Sequence, residues 1–91
     1  MALKITSNDA FTHRYILVDS GGVGWRETTV FGGEQRFKFA EILMVLMSED
    51  NVLSFQVGQT VYKIRVNPAK PDHKQLIDVL VQETTRTLPI R

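Results

Sequence analysis

The chain of 91 residues is predicted to fold as a single α+β domain, an antiparallel sheet of six or seven strands closed by one C-terminal helix. Three observations predict it. Apolar and polar residues alternate with period two up to about Val66, a helical period takes over at residues 72–85, and residues 52–66 read as a hairpin whose turn chemistry and side-chain pattern agree. The remaining residues, 86–91, form a tail in which Leu88 or Ile90 is available for packing.

The first strand is expected at residues 2–6, where Leu3 and Ile5 alternate with polar neighbours, and Ser7, Asn8 and Asp9 are expected to turn the chain. Residues 13–19 carry Tyr15, Ile16, Leu17 and Val18, side chains that suit a pleated surface. Gly21, Gly22 and Gly24 mark a turn, after which residues 25–31 form a strand with Thr28, Thr29 and Val30, ended by Gly32 and Gly33. Residues 36–39 place Phe37 and Phe39 on one face and Arg36 and Lys38 on the other. Residues 42–47, Ile-Leu-Met-Val-Leu-Met, are apolar on both faces, as in a strand covered on both sides.

The register of the final strands can be argued. Gly58-Gln59 suits a two-residue hairpin with glycine first, which pairs Val57 with Thr60, Phe55 with Tyr62 and Leu53 with Ile64. Every large apolar residue of one strand then meets another on the same face. The register of residues 42–47 has two solutions: a two-residue Asp50-Asn51 loop sets Leu46 opposite Phe55, whereas a three-residue loop with Asn51 left-handed sets Val45 there. In both, two or three of Leu43, Met44, Val45, Leu46 and Met47 point away from the face of Phe55 and Tyr62. For the helix, Asp72 is expected to cap the N-terminus with Gln75 completing a capping box, and Leu76, Ile77, Leu80, Val81 and Thr84 share the buried face.

Composition narrows function by exclusion. Eleven basic against ten acidic residues give a net charge of +1, without the basic excess of a nucleic-acid-binding domain. The absence of cysteine removes disulfides, thiolate zinc sites and a cysteine nucleophile, and fits a reducing compartment. The longest apolar run is six residues where a bilayer span needs about twenty, and the N-terminus has no signal-peptide pattern; a soluble cytoplasmic domain is expected. His13 and His73 have no catalytic partner in their spacing. Asp9, His13 and Asp19 match no zinc-ligand pattern. Ser20-Gly21-Gly22-Val23-Gly24 is followed by a strand-like run instead of the lysine and helix of a phosphate loop. No catalytic residue, cofactor or metal site is therefore expected.

Three groups remain as candidate contacts. Leu43, Met44, Val45, Leu46 and Met47 hold an apolar surplus covered either by the protein itself or by a partner, and two methionines suit an adaptable surface. Trp25, the only tryptophan, is either core or a binding anchor. Lys63, Arg65 and Lys70 lie in an acid-free stretch and face either solvent or an anionic headgroup.

The succession Arg36-Phe37-Lys38-Phe39-Ala40-Glu41-Ile42, an apolar strand, Asn51-Val52-Leu53-Ser54-Phe55-Gln56-Val57-Gly58, Tyr62-Lys63-Ile64 and one closing helix resembles the small pleckstrin-homology-like domains of bacteria. The resemblance covers residues 36–85 and is one of element order. It implies a curved sheet or open barrel closed by the helix, and a binding function, since such domains take lipids, peptides or proteins. Lipid-binding members carry a basic first hairpin loop, and residues 19–24 here contain no cation; phosphoinositide binding is disfavoured. The expectation is a non-enzymatic protein-interaction or assembly module, homo-oligomerisation included, with weak binding to an anionic membrane surface as the alternative.

Overall fold

A computed structural model of the protein describes residues 2–8, 12–27 and 33–87. Within them β1 (Leu3–Asn8), β2 (His13–Asp19), β3 (Gly22–Glu27) and β4 (Gln35–Phe37) form one antiparallel sheet in that order. A 3-10 turn (Phe39–Glu41) leads into a second antiparallel sheet of β5 (Ile42–Met47), β6 (Val52–Val57) and β7 (Thr60–Arg65). The helix α1 (Pro71–Thr87) packs on β1 and extends to the 3-10 turn, β5 and β2. The α+β class and the strands-then-helix order are those expected. The sheets remain separate, four strands and three, and do not close into a barrel.

Several boundaries move, each for a local reason. Ser7 and Asn8 continue β1 because they pair with Arg14 and His13, so the turn starts later than expected; Asp9 lies outside the described residues. The glycine-rich turn is only Ser20-Gly21, and Gly22 and Gly24 lie within β3. Gly22 sits at φ +133° with the Phe37 carbonyl where a Cβ would be. Gly24 lets the Glu34 and Arg36 side chains lie across the strand, within 3.0 Å of the position a Cβ would take. The expected continuation through Thr28, Thr29, Val30 and Gly32 is outside the described residues, as is the tail at 88–91. β4 ends at Phe37, not at residue 39, because the Lys38 N–H donates to Glu41 Oε1 (3.1 Å) and the Glu41 N–H to the Lys38 carbonyl (2.9 Å), bending the chain. Phe37 and Phe39 both still pack on the core.

The hairpin of β6 and β7 has the argued register, with Val57 opposite Thr60, Phe55 opposite Tyr62 and Leu53 opposite Ile64. Only Gly58 of its two loop residues has positive φ (60°), as a glycine-first turn requires. At the β5–β6 turn Asn51 is left-handed (φ 62°), which selects the second solution and sets Val45 opposite Phe55. A bulge between Ile42 and Met44 then returns Ile42 to the inner face opposite Val57.

The core lies between the sheets and under the helix. Leu3, Val18, Val23 and Phe37 make one inner row across the four-stranded sheet; Ile5, Ile16 and Trp25 make the next. They meet Leu53, Phe55 and Ile64 of the other sheet and Leu76 and Leu80 of α1. Each fully buried aliphatic side chain contributes roughly 1.5–3 kcal/mol. The helix begins at Pro71, so Asp72 lies in its first turn and not at its cap, and its carboxylate accepts the His73 N–H (3.0 Å). Val81 does not join the buried stripe as expected: it is 44% exposed, while Val79 packs on the core. Thr84 is buried because its hydroxyl donates to the Leu80 carbonyl (2.8 Å).

Candidate functional site

The two faces of β5 part company. The inner face takes Ile42, which is buried, and Val45, which is half-buried. Leu43 at the bulge and Leu46 on the outer face, opposite Ser54, are 57% and 54% exposed, and Met47 is exposed at the strand end. Met44 is half-buried, and with Leu43 and the exposed Val81 it lines a shallow hollow of about 160 Å³ between β5 and α1. The apolar surplus thus splits, part covered by the protein and part open. β5 is also the end strand of its sheet. Its span contains no charged residue, whereas β1, β4 and β7, the other end strands, hold Lys4, Arg36, and Lys63 with Arg65. Charges on an end strand discourage unwanted pairing, and β5 lacks that protection.

The three cations of the acid-free stretch do not converge. Lys63 and Arg65 alternate outward on β7 and are exposed. Lys70 lies in the link to α1, where its carbonyl accepts the Lys74 N–H (3.0 Å) and starts the helix. Lys63, at the β7 edge, also lines a larger feature not visible in the sequence.

At the end of the inner face of the four-stranded sheet the core stops, and Arg14 and Glu27, which pair across β2 and β3, form an ion pair (Nε–Oε1 3.0 Å) with both side chains about one-third exposed or less. Beyond it a cleft of about 550 Å³ opens between this sheet and β7, lined by Arg14, Glu27, Trp25, Gln35, Tyr62 and Lys63 among others. Trp25 is 2% exposed, its ring edge-on to Phe55 (5.6 Å between centroids) and tilted against Tyr62 (5.4 Å), so the core alternative holds, and the residue also lines the cleft. The Tyr62 hydroxyl donates to Gln35 Oε1 (3.0 Å) and ties the two sheets together beside it.

The outer face of the four-stranded sheet carries a second polar network. Arg36 reaches Asp19 (2.9 Å) and lies 3.8 Å from Glu34, whose Oε1 accepts the Tyr15 hydroxyl (2.8 Å). The Arg36 guanidinium and then the Gly21 N–H hold the Asp19 carboxyl below its ordinary value; the bond to Glu34 pushes the Tyr15 phenol up. Lys4 lies over the Tyr15 ring (4.3 Å).

The histidines hold backbone and side chains in place. Nδ1 of His73 accepts the Asn67 N–H (3.0 Å), and Nδ1 of His13 bonds Asn8 Oδ1 (2.7 Å). Among the described residues no group of three or more histidine, aspartate or glutamate side chains is placed to hold a metal ion; of the set weighed above, Asp9 lies outside them. Among them, too, no helix is long and apolar enough to cross a membrane. Comparison of the chain with protein-family models, with curated proteins and with solved structures gave no match.

Proposed function

We propose that this protein is a non-enzymatic interaction module of the pleckstrin-homology-like type, acting in the cytoplasm and docking a protein partner, a second copy included, on β5. The observation that carries the reading is the exposure of Leu43 and Leu46 on an uncharged end strand, continuous with Val81 of the helix across the hollow. Two consecutive antiparallel meanders of four and three strands followed by one packed helix support the fold-type assignment. The cysteine-free composition accords with a reducing compartment.

A photo-reactive amino acid placed at Leu46 in cells making the protein tests this. A discrete adduct with one protein or with a second copy, lost on Leu43→Lys, is the expected result; illumination that yields only uncrosslinked chain overturns it. Because Leu43 is exposed, Leu43→Lys should leave the unfolding free energy, read from denaturation, within about 0.5 kcal/mol of the parent. The outward pair Lys63 and Arg65 favours a second reading, contact with an anionic membrane surface. Co-sedimentation with vesicles that rises with phosphatidylserine content and falls on Lys63→Glu with Arg65→Glu would support it, and indifference to both would remove it.

A further inference from the structure

We propose that the open cleft between the two sheets is a second docking site, which takes an extended, acidic peptide segment laid along the β7 edge. Its volume, about 550 Å³, lies in the range of ligand sites. Four groups converge on it. The first is the β7 backbone. The two-residue turn makes Val57 and Thr60 a hydrogen-bonded pair, and the Val66 N–H bonds the Asn51 carbonyl (2.9 Å), so the alternation of an antiparallel ladder turns Thr60, Tyr62 and Ile64 toward β6. The N–H and C=O groups of Val61 and Lys63 then point the other way, where none of the described strands pairs with β7, and both residues line the cleft. An extended segment is the ligand whose own backbone matches such a row.

The second group is Trp25. It lines the cleft although it is otherwise buried, and its indole N–H makes no hydrogen bond among the described residues. The third is Lys63, which makes no ion pair among the described residues. The fourth is the Arg14–Glu27 ion pair, which holds a polar wall on what is otherwise the apolar inner face. Among the described lining residues Lys63 adds one positive charge to the Arg14–Glu27 pair, and a carboxylate is its complement.

The sole tryptophan makes the site observable, because the tryptophan emission of the intact chain comes from a residue that lines this cleft. The probes are blocked pentapeptides with glutamate at the centre and valine, threonine or phenylalanine at the flanks. The expected result is a saturable change in Trp25 emission with glutamate-centred peptides, at least about tenfold weaker binding after Lys63→Glu, and loss of binding when alternate peptide nitrogens are methylated. A melting curve of Lys63→Glu matching the parent shows that the fold is kept. Four results would overturn the proposal: no saturable change with any peptide, equal binding of lysine-centred peptides, equal binding of the methylated probes, or the same response to free glutamate at the same concentration. The last would mark a small-carboxylate site with no strand addition. Leu43→Lys leaves this titration unchanged, which separates the cleft from the β5 surface.

Discussion

At the scale of single residues, the two glycines with positive φ make different demands. Gly58 (φ 60°) has open space where a Cβ would stand, so Gly58→Ala meets only the cost of the left-handed backbone, roughly 1–2 kcal/mol. Gly22 (φ 133°) adds the Phe37 carbonyl and the backbone behind it, which cannot swing aside. Gly22→Ala should therefore cost more, about 3 kcal/mol or above, and urea titration of the two variants should rank them in that order. Asp19 illustrates a charge effect. Its carboxyl is held below the ordinary value by Arg36 first and the Gly21 N–H second, so its folded form loses the proton more readily than the unfolded chain does. The stability it lends is present above the unfolded-state value of about 3.8 and fades as pH falls through the lower folded-state one. Asp19→Asn should flatten the acid limb of a stability–pH profile below about pH 4 and leave its alkaline limb as it is. Neither effect is legible from residue type alone, because the partners are 15 and 17 positions away in the chain for Phe37 and Arg36.

At the scale of elements, local rules worked where the element is defined by its own turn. Gly58 at the first loop position was enough to set the register of β6 and β7, and the helical period located α1 to within two residues at either end. They were insufficient for β5, whose two registers differ only in the conformation of Asn51. That residue is a test of the assignment: Asn51→Gly should be tolerated within about 0.5 kcal/mol, and Asn51→Val should cost at least about 1 kcal/mol because a β-branched residue resists positive φ. The helix gives a second test. Leu80 is fully buried and Val81 is 44% exposed, although both belong to the stripe the periodicity suggests. Leu80→Ala should cost 2–5 kcal/mol, in the order-of-magnitude range for a buried leucine, and Val81→Ala less than about 1 kcal/mol. Thermal unfolding of the two variants checks which side of the stripe the helix buries.

At the scale of the whole molecule, one core spans both sheets and the helix, and an aromatic group crosses it: Phe55 stacks on Tyr62 (5.1 Å between centroids), with Trp25 and Phe37 against both. The two sheets should therefore unfold together. Tryptophan fluorescence and far-ultraviolet circular dichroism are expected to give coincident denaturation curves, and separate midpoints would show that the sheets are independent units. Phe55→Ala removes the centre of the group at about 3–5 kcal/mol, a large share of the 5–15 kcal/mol that a domain commonly has. The near-neutral, cysteine-free sequence by itself determined the α+β class, the order of strands and helix, the β6–β7 register and the presence of more apolar surface on residues 42–47 than one face can use, because periodicity and turn chemistry act between near neighbours. Only the tertiary structure decided which of those residues stay exposed. It also brought Trp25 and Lys63, read separately in the sequence, to one cleft with the Arg14–Glu27 pair. The reason is that exposure and convergence depend on how two sheets and a helix stack, on a bulge one residue long, and on where the core runs out, and none of these is fixed by the spacing of residues along the chain.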